Sequence, residues 1–150
     1  MKKAQVSTEY LVILAVVLVI ALVAVYLISQ SSSLSAGTIE TQSQAYWRET
    51  QPLAVTGFSA ATTTLNLEIL NLYHETVTLT RISGSGLTDY TTSTGFAPGQ
   101  VITIPVTLNA TCGAVGTRYG YGNITLTYTA GETTISKTFV GQKALTGTCS

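Results

Sequence analysis

Charge is what this chain has least of. Seven basic and seven acidic side chains among 150 residues make up 9% of the composition and cancel to a formal net charge of zero. An ordinary soluble domain carries about 25% charged residues. No field of one sign is available to attract nucleic acid or an anionic substrate, so neither is expected as a partner. Histidine occurs once, as His74. A zinc site needs three or four clustered ligands, and one histidine with two widely spaced cysteines falls short of that. His74 therefore reads as a surface or turn residue. The carboxylates Glu68, Glu75, Asp89 and Glu132 are scattered, with no acid/base pair among them. Asp89 and its neighbouring threonine hydroxyls are too few for calcium. No glycine-rich strand-to-helix loop and no Gly-x-Ser-x-Gly stretch occurs. The expectation is a protein that is not an enzyme and needs no cofactor and no metal.

Threonine, serine, asparagine and glutamine supply the polarity that charge does not. Such a neutral, hydroxyl-rich surface suits an extracellular module that packs against copies of itself. The two cysteines, Cys112 and Cys149, read as free thiols in a cytosolic protein and as one disulfide in an exported one. Whether the chain is exported decides between these, and the N-terminus speaks to export.

There, Lys2 and Lys3 precede an uninterrupted apolar run at 11–28, and no charged side chain falls between Glu9 and Glu40. About 20 such residues span a bilayer. The lysines favour a cytoplasmic N-terminus, which puts the rest of the chain outside. A secretory signal has a shorter apolar core followed by a small-residue cleavage site, which Ala36 matches only loosely. A plain transmembrane anchor needs no further feature, and in it Glu9 would sit at the interface. Yet the polar stretch Gln5-Val6-Ser7-Thr8-Glu9 stands between the lysines and the apolar run. A carboxylate beside the membrane core is costly unless it is paired or interfacial.

Lys3-Ala4 followed by Gln5-Val6-Ser7-Thr8-Glu9-Tyr10-Leu11 resembles the class III signal peptide of archaeal type IV pilin precursors. The resemblance covers roughly the first 30 residues, and many members of that family have glycine where this chain has Ala4. It implies that a prepilin peptidase cuts between Ala4 and Gln5, with Lys3, Gln5, Ser7 and Glu9 forming the processing motif. It also implies that the new amine on Gln5 of one subunit pairs with Glu9 of another during assembly. Burying both charges is costly unless they meet, so such a pair would set axial register more than stability.

The run is apolar on every face, so its helix must be surrounded by lipid or by other helices. Ala15, Ala21 and Ala24 permit close helix approach. One helix is expected from about Val6 to about Thr50, roughly 65 Å long at 1.5 Å per residue. That exceeds one bilayer crossing, so the C-terminal part should pack on a globular domain. The alternative is a break within 31–37, where serines compete for backbone hydrogen bonds and Gly37 weakens the helix. Pro52 ends the helical pattern.

Beyond Pro52 the period becomes two. Strand patterns run over 53–61, 62–73, 75–84, 99–110, 122–130 and 133–141. Leu65, Leu67 and Ile69 alternate, then lose phase near Leu70. In 75–84 two faces compete, one with Val77, Leu79 and Arg81, the other with Ile82. Turns are expected at 83–86, 97–100, 120–123 and 130–132, the last joining a hairpin. Pro105 requires an edge strand or a bulge. Five to seven strands over about 100 residues suggest an antiparallel β-sandwich or open barrel, Ig-like or pilin-type, with 143–150 irregular and held by Cys149. The fold class is thus α+β. The expected divisions are a leader at 1–4, an assembly and transmembrane helix at 5–50 and an extracellular β domain at 51–150.

Tyr119, Tyr121 and Tyr128, with Arg118, read either as aromatic cross-strand pairs or as an exposed adhesive patch. Asn109-Ala110-Thr111 and Asn123-Ile124-Thr125 are sequons, so Asn109 and Asn123 are candidate N-glycosylation positions if the domain is exported. The expected function is a structural subunit of an archaeal type IV adhesion pilus. It would be inserted in the membrane as a precursor and then polymerised with like subunits into an extracellular filament on an assembly platform. Two alternatives stand beside it: a monomeric cell-surface binding module on a permanent anchor, and an archaeal flagellin.

Overall fold

The computed structural model describes the backbone of residues 2–132 and 134–150 and the side chains of 8–29, 37–132 and 134–150. The chain divides into two compact units, Met1–Thr38 and Ile39–Ser150.

The first unit is helical throughout its described backbone. It belongs to helix α1, Lys2–Glu49. The break weighed for 31–37 does not occur: the backbone stays helical through the serines and through Gly37. Each residue added to a formed helix contributes a hydrogen bond, so a few weak formers inside a long helix do not stop it.

The second unit starts with the last turns of α1 and continues through nine strands: β1 Leu53–Ala60, β2 Thr64–Asn71, β3 Val77–Ser83, β4 Tyr90–Phe96, β5 Val101–Thr107, β6 Arg118–Tyr121, β7 Thr125–Ala130, β8 Lys137–Val140 and β9 Leu145–Thr148. They form three antiparallel sheets, ordered β1-β2-β5, β4-β3-β7-β8 and β6-β9. The architecture is therefore a mixed α+β fold of an apolar helix followed by several antiparallel sheets. Isolated bridges tie Ala60 to Cys149 and Leu87 to Leu108.

Alternation sets what faces inward. Leu65, Leu67 and Ile69 of β2 are fully buried, as are Leu126 of β7 and Val106 of β5. Thr125, Thr127 and Thr129 lie on the other, half-buried face of β7. The two-face conflict in β3 is settled by a bulge between Leu79 and Arg81. The extra residue turns Arg81 outward, where it pairs with Asp89, and turns Ile82 into the core. Pro105 lies on β5, at the edge of its sheet, where its missing N–H leaves no gap in a ladder.

The loss of phase expected near Leu70 does not occur: the alternation of β2 continues past Ile69. Asn71 takes the next inward position and is fully buried. Its side-chain amide donates to the carbonyls of Glu75 at 2.9 Å and Phe96 at 3.0 Å. Its side-chain oxygen accepts from the Tyr73 amide at 2.8 Å. A buried polar group so satisfied is tolerated, and here it pins β2 to the turn after it and to the end of β4.

Three further expectations are corrected. The tail is not irregular: β9 pairs with β6 in register from Arg118↔Thr148 to Tyr121↔Leu145. β4 and β6 had no counterpart among the expected strands. The hairpin β7–β8 is present, but β8 is shorter than the stretch 133–141, and Thr133 lies outside the described residues.

The end of α1 completes the core. Trp47 is wholly buried, edge-on to Phe139 at 6.1 Å and to Tyr46 at 5.5 Å. Ser43 donates to the carbonyl of Ala144 at 2.7 Å, and the Gln142 amide donates to the Tyr46 hydroxyl at 2.7 Å. A Cβ on Gly141 would lie 2.0 Å from the Trp47 ring, so only glycine leaves room for the indole there. Thr50 ends the helix, its hydroxyl donating toward the carbonyls of Trp47 and Leu53, both at 2.8 Å.

Candidate functional site

The candidate residues fall in two places, the N-terminal part of α1 and the β unit.

Within α1 the segment Thr8–Ser29 has a mean hydropathy of 3.4, and none of it is buried within the chain. The large side chains from Tyr10 to Ile28 all stand exposed, from 49% at Leu14 to 69% at Ile28. Transfer of such a surface from water is worth about 25 cal/mol per Å², so the segment is stable only when lipid or another helix covers it. It is long and apolar enough to cross a membrane. Ser29 closes the segment by donating its hydroxyl back to the Val25 carbonyl at 2.9 Å. That is how a hydroxyl is kept satisfied without water. Ala15, Ala21 and Ala24 are exposed in the same stretch.

Glu9 is exposed one residue ahead of the aromatic ring that opens the apolar surface. The other residues of the processing motif, Lys3, Gln5 and Ser7, and the cleavage residue Ala4 have side chains outside the described residues. Their backbone is helical and continuous with that of Glu9. The geometry therefore places Glu9 one helical turn beyond Gln5.

In the β unit, Cys112 and Cys149 form a disulfide, with 37 residues of sequence separation and Cα atoms 5.8 Å apart. It fixes the end of β9 beside the end of β1. The Ser150 amide donates to the Ala60 carbonyl at 3.0 Å, and the Cys112 amide donates to that of Thr62 at 2.8 Å.

The three tyrosines do not form one patch. Tyr119 and Tyr121 stack on one face of β6, ring centroids 5.1 Å apart, whereas Tyr128 faces the core from β7. Burial, then the carboxylate of Glu40 and the neighbouring Tyr121, push the Tyr119 hydroxyl up to about 12, against a smaller opposing effect of a backbone hydrogen bond with Ala60. Burial also raises Tyr121 and Tyr128. These are structural phenols packed against the core, and the neutral form is the one the fold holds.

His74 lies in the turn after β2, with its ring 4.2 Å from that of Tyr73 and its Nε2 3.7 Å from Glu75. Lys137 sits over the other aromatic partner of that cluster, 5.2 Å from the Tyr73 ring centre. No group of three or more His, Cys, Asp or Glu among the described residues is placed to hold a metal. Asn109 and Asn123 are both exposed, one after β5 and the other between β6 and β7. Trp47, Asn71 and Gly141, which organise the unit, carried no functional signal in the sequence.

Residues 2–28 match the family model described as Class III signal peptide. An N-terminal class III signal peptide, typical of archaeal surface-appendage precursors in general, thus overlaps a helical segment of membrane-spanning length. No curated protein matches the chain.

Proposed function

We propose that this chain is the structural subunit of an archaeal type IV adhesion pilus. The observation that carries the reading is the class III signal peptide match over 2–28, which takes in nearly all of an apolar helical segment that is unburied among the described residues. A precursor would insert with Lys2 and Lys3 on the cytoplasmic side. A prepilin peptidase would cut between Ala4 and Gln5, removing both lysines and leaving an amine one turn from Glu9. Subunits would then exchange lipid for one another's helices on an assembly platform, and the amine of one would meet Glu9 of another in the bundle. The β units would form the outer, adhesive layer of an extracellular filament. In this reading the chain is a building block, with no catalysis and no cofactor.

Support comes from the division of labour in the sequence. The apolar segment leaves its large side chains exposed, while the β unit is closed by its own core and its own disulfide. A sandwich-like closure of the three sheets, Ig-like or pilin-type, would suit the outer layer.

The test is peptide mass spectrometry on filaments sheared from the native cells. The reading expects abundant peptides beginning at Gln5 in that fraction, and loss of filaments in a Glu9→Ala variant with its β unit still folded. A chain that still begins at Met1 and stays in the membrane fraction would overturn the pilin reading and leave a permanently anchored surface module. A gene neighbourhood encoding a rotary motor, with Gln5-initiated chains in rotating filaments, would make it an archaeal flagellin instead.

A further inference from the structure

The two sequons of the β unit are chemically equivalent in sequence and unequal in the fold. Asn109 is already employed. Its Nδ2 donates to the Leu87 carbonyl at 3.0 Å, and its Oδ1 accepts from the Thr88 hydroxyl at 2.8 Å. Its backbone amide donates to the Gly86 carbonyl at 3.0 Å. Both ends of this carboxamide therefore clamp the loop that leads into β4, beside the Leu87↔Leu108 bridge and three residues ahead of the disulfide cysteine Cys112. A transferase that takes the Asn109 nitrogen must first pull the side chain out of that clamp.

Asn123 is arranged the other way. It sits at the turn between β6 and β7 with φ of 52°, a left-handed conformation that asparagine tolerates better than most residues. Its side chain is exposed and makes no hydrogen bond among the described residues. The turn beneath it is firmly held: Ile124 is wholly buried, the Gly141 amide donates to the Ile124 carbonyl and the Ser85 amide to that of Gly122, both at 2.8 Å. The third sequon residue is already folded back toward the first, the Thr125 hydroxyl donating to the Asn123 carbonyl at 3.2 Å. A rigid base presents a free carboxamide with the hydroxyl of its sequon close by.

We propose that Asn123, and not Asn109, is the N-glycosylated asparagine of this chain, and that the donor is a lipid-linked sugar activated by a phosphate or diphosphate. The Asn123 Nδ2 forms the new bond to the anomeric carbon of the sugar and gives up one proton. The bond from that carbon to the donor's phosphate oxygen breaks, and the lipid phosphate leaves with the electron pair. The glycan then stands on the solvent side of the β6–β7 turn, where it adds a hydrated, bulky group to a surface poor in charge. The clamp made by Asn109 stays intact. The assignment rests on the β unit lying outside the cytoplasm.

Peptide mapping by mass spectrometry, on the full chain from its native cells, tests it. Intact cells are first treated with a membrane-impermeant amine reagent, so that modification of the exposed Lys143 reports independently that the β unit is outside. The expected result is a sugar on the peptide carrying Asn123, none on Asn109, and Lys143 labelled. Asn123→Gln and Thr125→Ala should each abolish the sugar, and Thr125→Ser should keep it. Asn109→Gln should leave the glycan in place while lowering the melting temperature. A bare Asn123 on a chain with labelled Lys143 overturns the assignment and spares the location. A bare Asn123 with unlabelled Lys143 overturns both. A sugar on Asn109, with or without one on Asn123, overturns the assignment as well.

Discussion

The two units of this chain solve opposite problems with nearly the same palette. Both are poor in charge and draw their large apolar side chains mainly from Val, Ile and Leu. In the β unit the large apolar side chains are turned inward until Trp47, Leu53, Leu67, Ile82 and Leu126 have no exposure at all. In Thr8–Ser29 the same kinds of residue are turned outward on every side. The difference lies in period. Alternation by two lets a strand keep one face for a core and one for solvent, whereas an unbroken apolar run leaves a helix no polar face to give to water. The lesson is that one region is finished by folding and the other only by association, so damage to each should be read out by different measurements.

The largest separation between them is expected from Trp47→Ala. It should cost the β unit about 3–5 kcal/mol, the usual range for removing a buried large aromatic side chain. Urea unfolding of the detergent-solubilised chain, followed by the near-ultraviolet dichroism of its tyrosines, measures it, while membrane insertion should be unchanged. The converse is Val19→Lys. A lysine at the centre of a spanning helix costs about 2.5–3.5 kcal/mol on insertion. The membrane fraction should be depleted of this variant, with the unfolding midpoint of the β unit unmoved. If both readouts fall together in either variant, the two units are not independent.

Next is Asn71→Ala, expected to cost about 2–3 kcal/mol by orphaning the carbonyls of Glu75 and Phe96 and the Tyr73 amide. It is also the residue on which reading the sequence failed most instructively. The apolar stretch, the start of the β region near Pro52, the edge position of Pro105 and the alternation of Leu65, Leu67 and Ile69 were legible because side-chain polarity reported burial directly. At Asn71 polarity pointed the wrong way, since its burial is made tolerable by three backbone partners distant in sequence or hidden in a turn. β4 was missed for a related reason: its inward positions are Tyr90, Thr92, Thr94 and Phe96, so threonine stands on both faces and no alternation shows. β6 and β9 are four residues each, with a glycine in each. The bulge in β3 was invisible because a one-residue insertion looks, in sequence, like two competing faces. Of the candidate sites, the signal motif was legible as a linear pattern. The unequal engagement of the two sequons was not, because Leu87 and Thr88 meet Asn109 only in the fold.

The smallest effect belongs to pH. The Tyr119 hydroxyl is held at about 12, chiefly by burial, against about 10 for a free tyrosine. The folded state thus binds this proton more tightly than the unfolded state. Its contribution to stability is fully present below pH 10 and is lost as pH rises toward 12. Denaturation midpoints of the wild type should fall over that window, and Tyr119→Phe should flatten the fall. An unchanged alkaline slope in the variant would assign the loss to other groups.

The tie between Cys112 and Cys149 has a mechanical side. Residues 39–49 of the helix grip the segment around Phe139–Ala144 through Trp47, Tyr46 and Ser43, and that segment lies inside the loop the disulfide closes. A pull on the helix therefore loads a part of the chain that cannot be paid out to full length. With a sequence separation of 37 between the cysteines and about 3.4 Å of contour per extended residue, reduction of the bond would release roughly 120 Å of extra chain. The oxidised head is in this sense a short tether, which under tension yields its contacts before it yields its length.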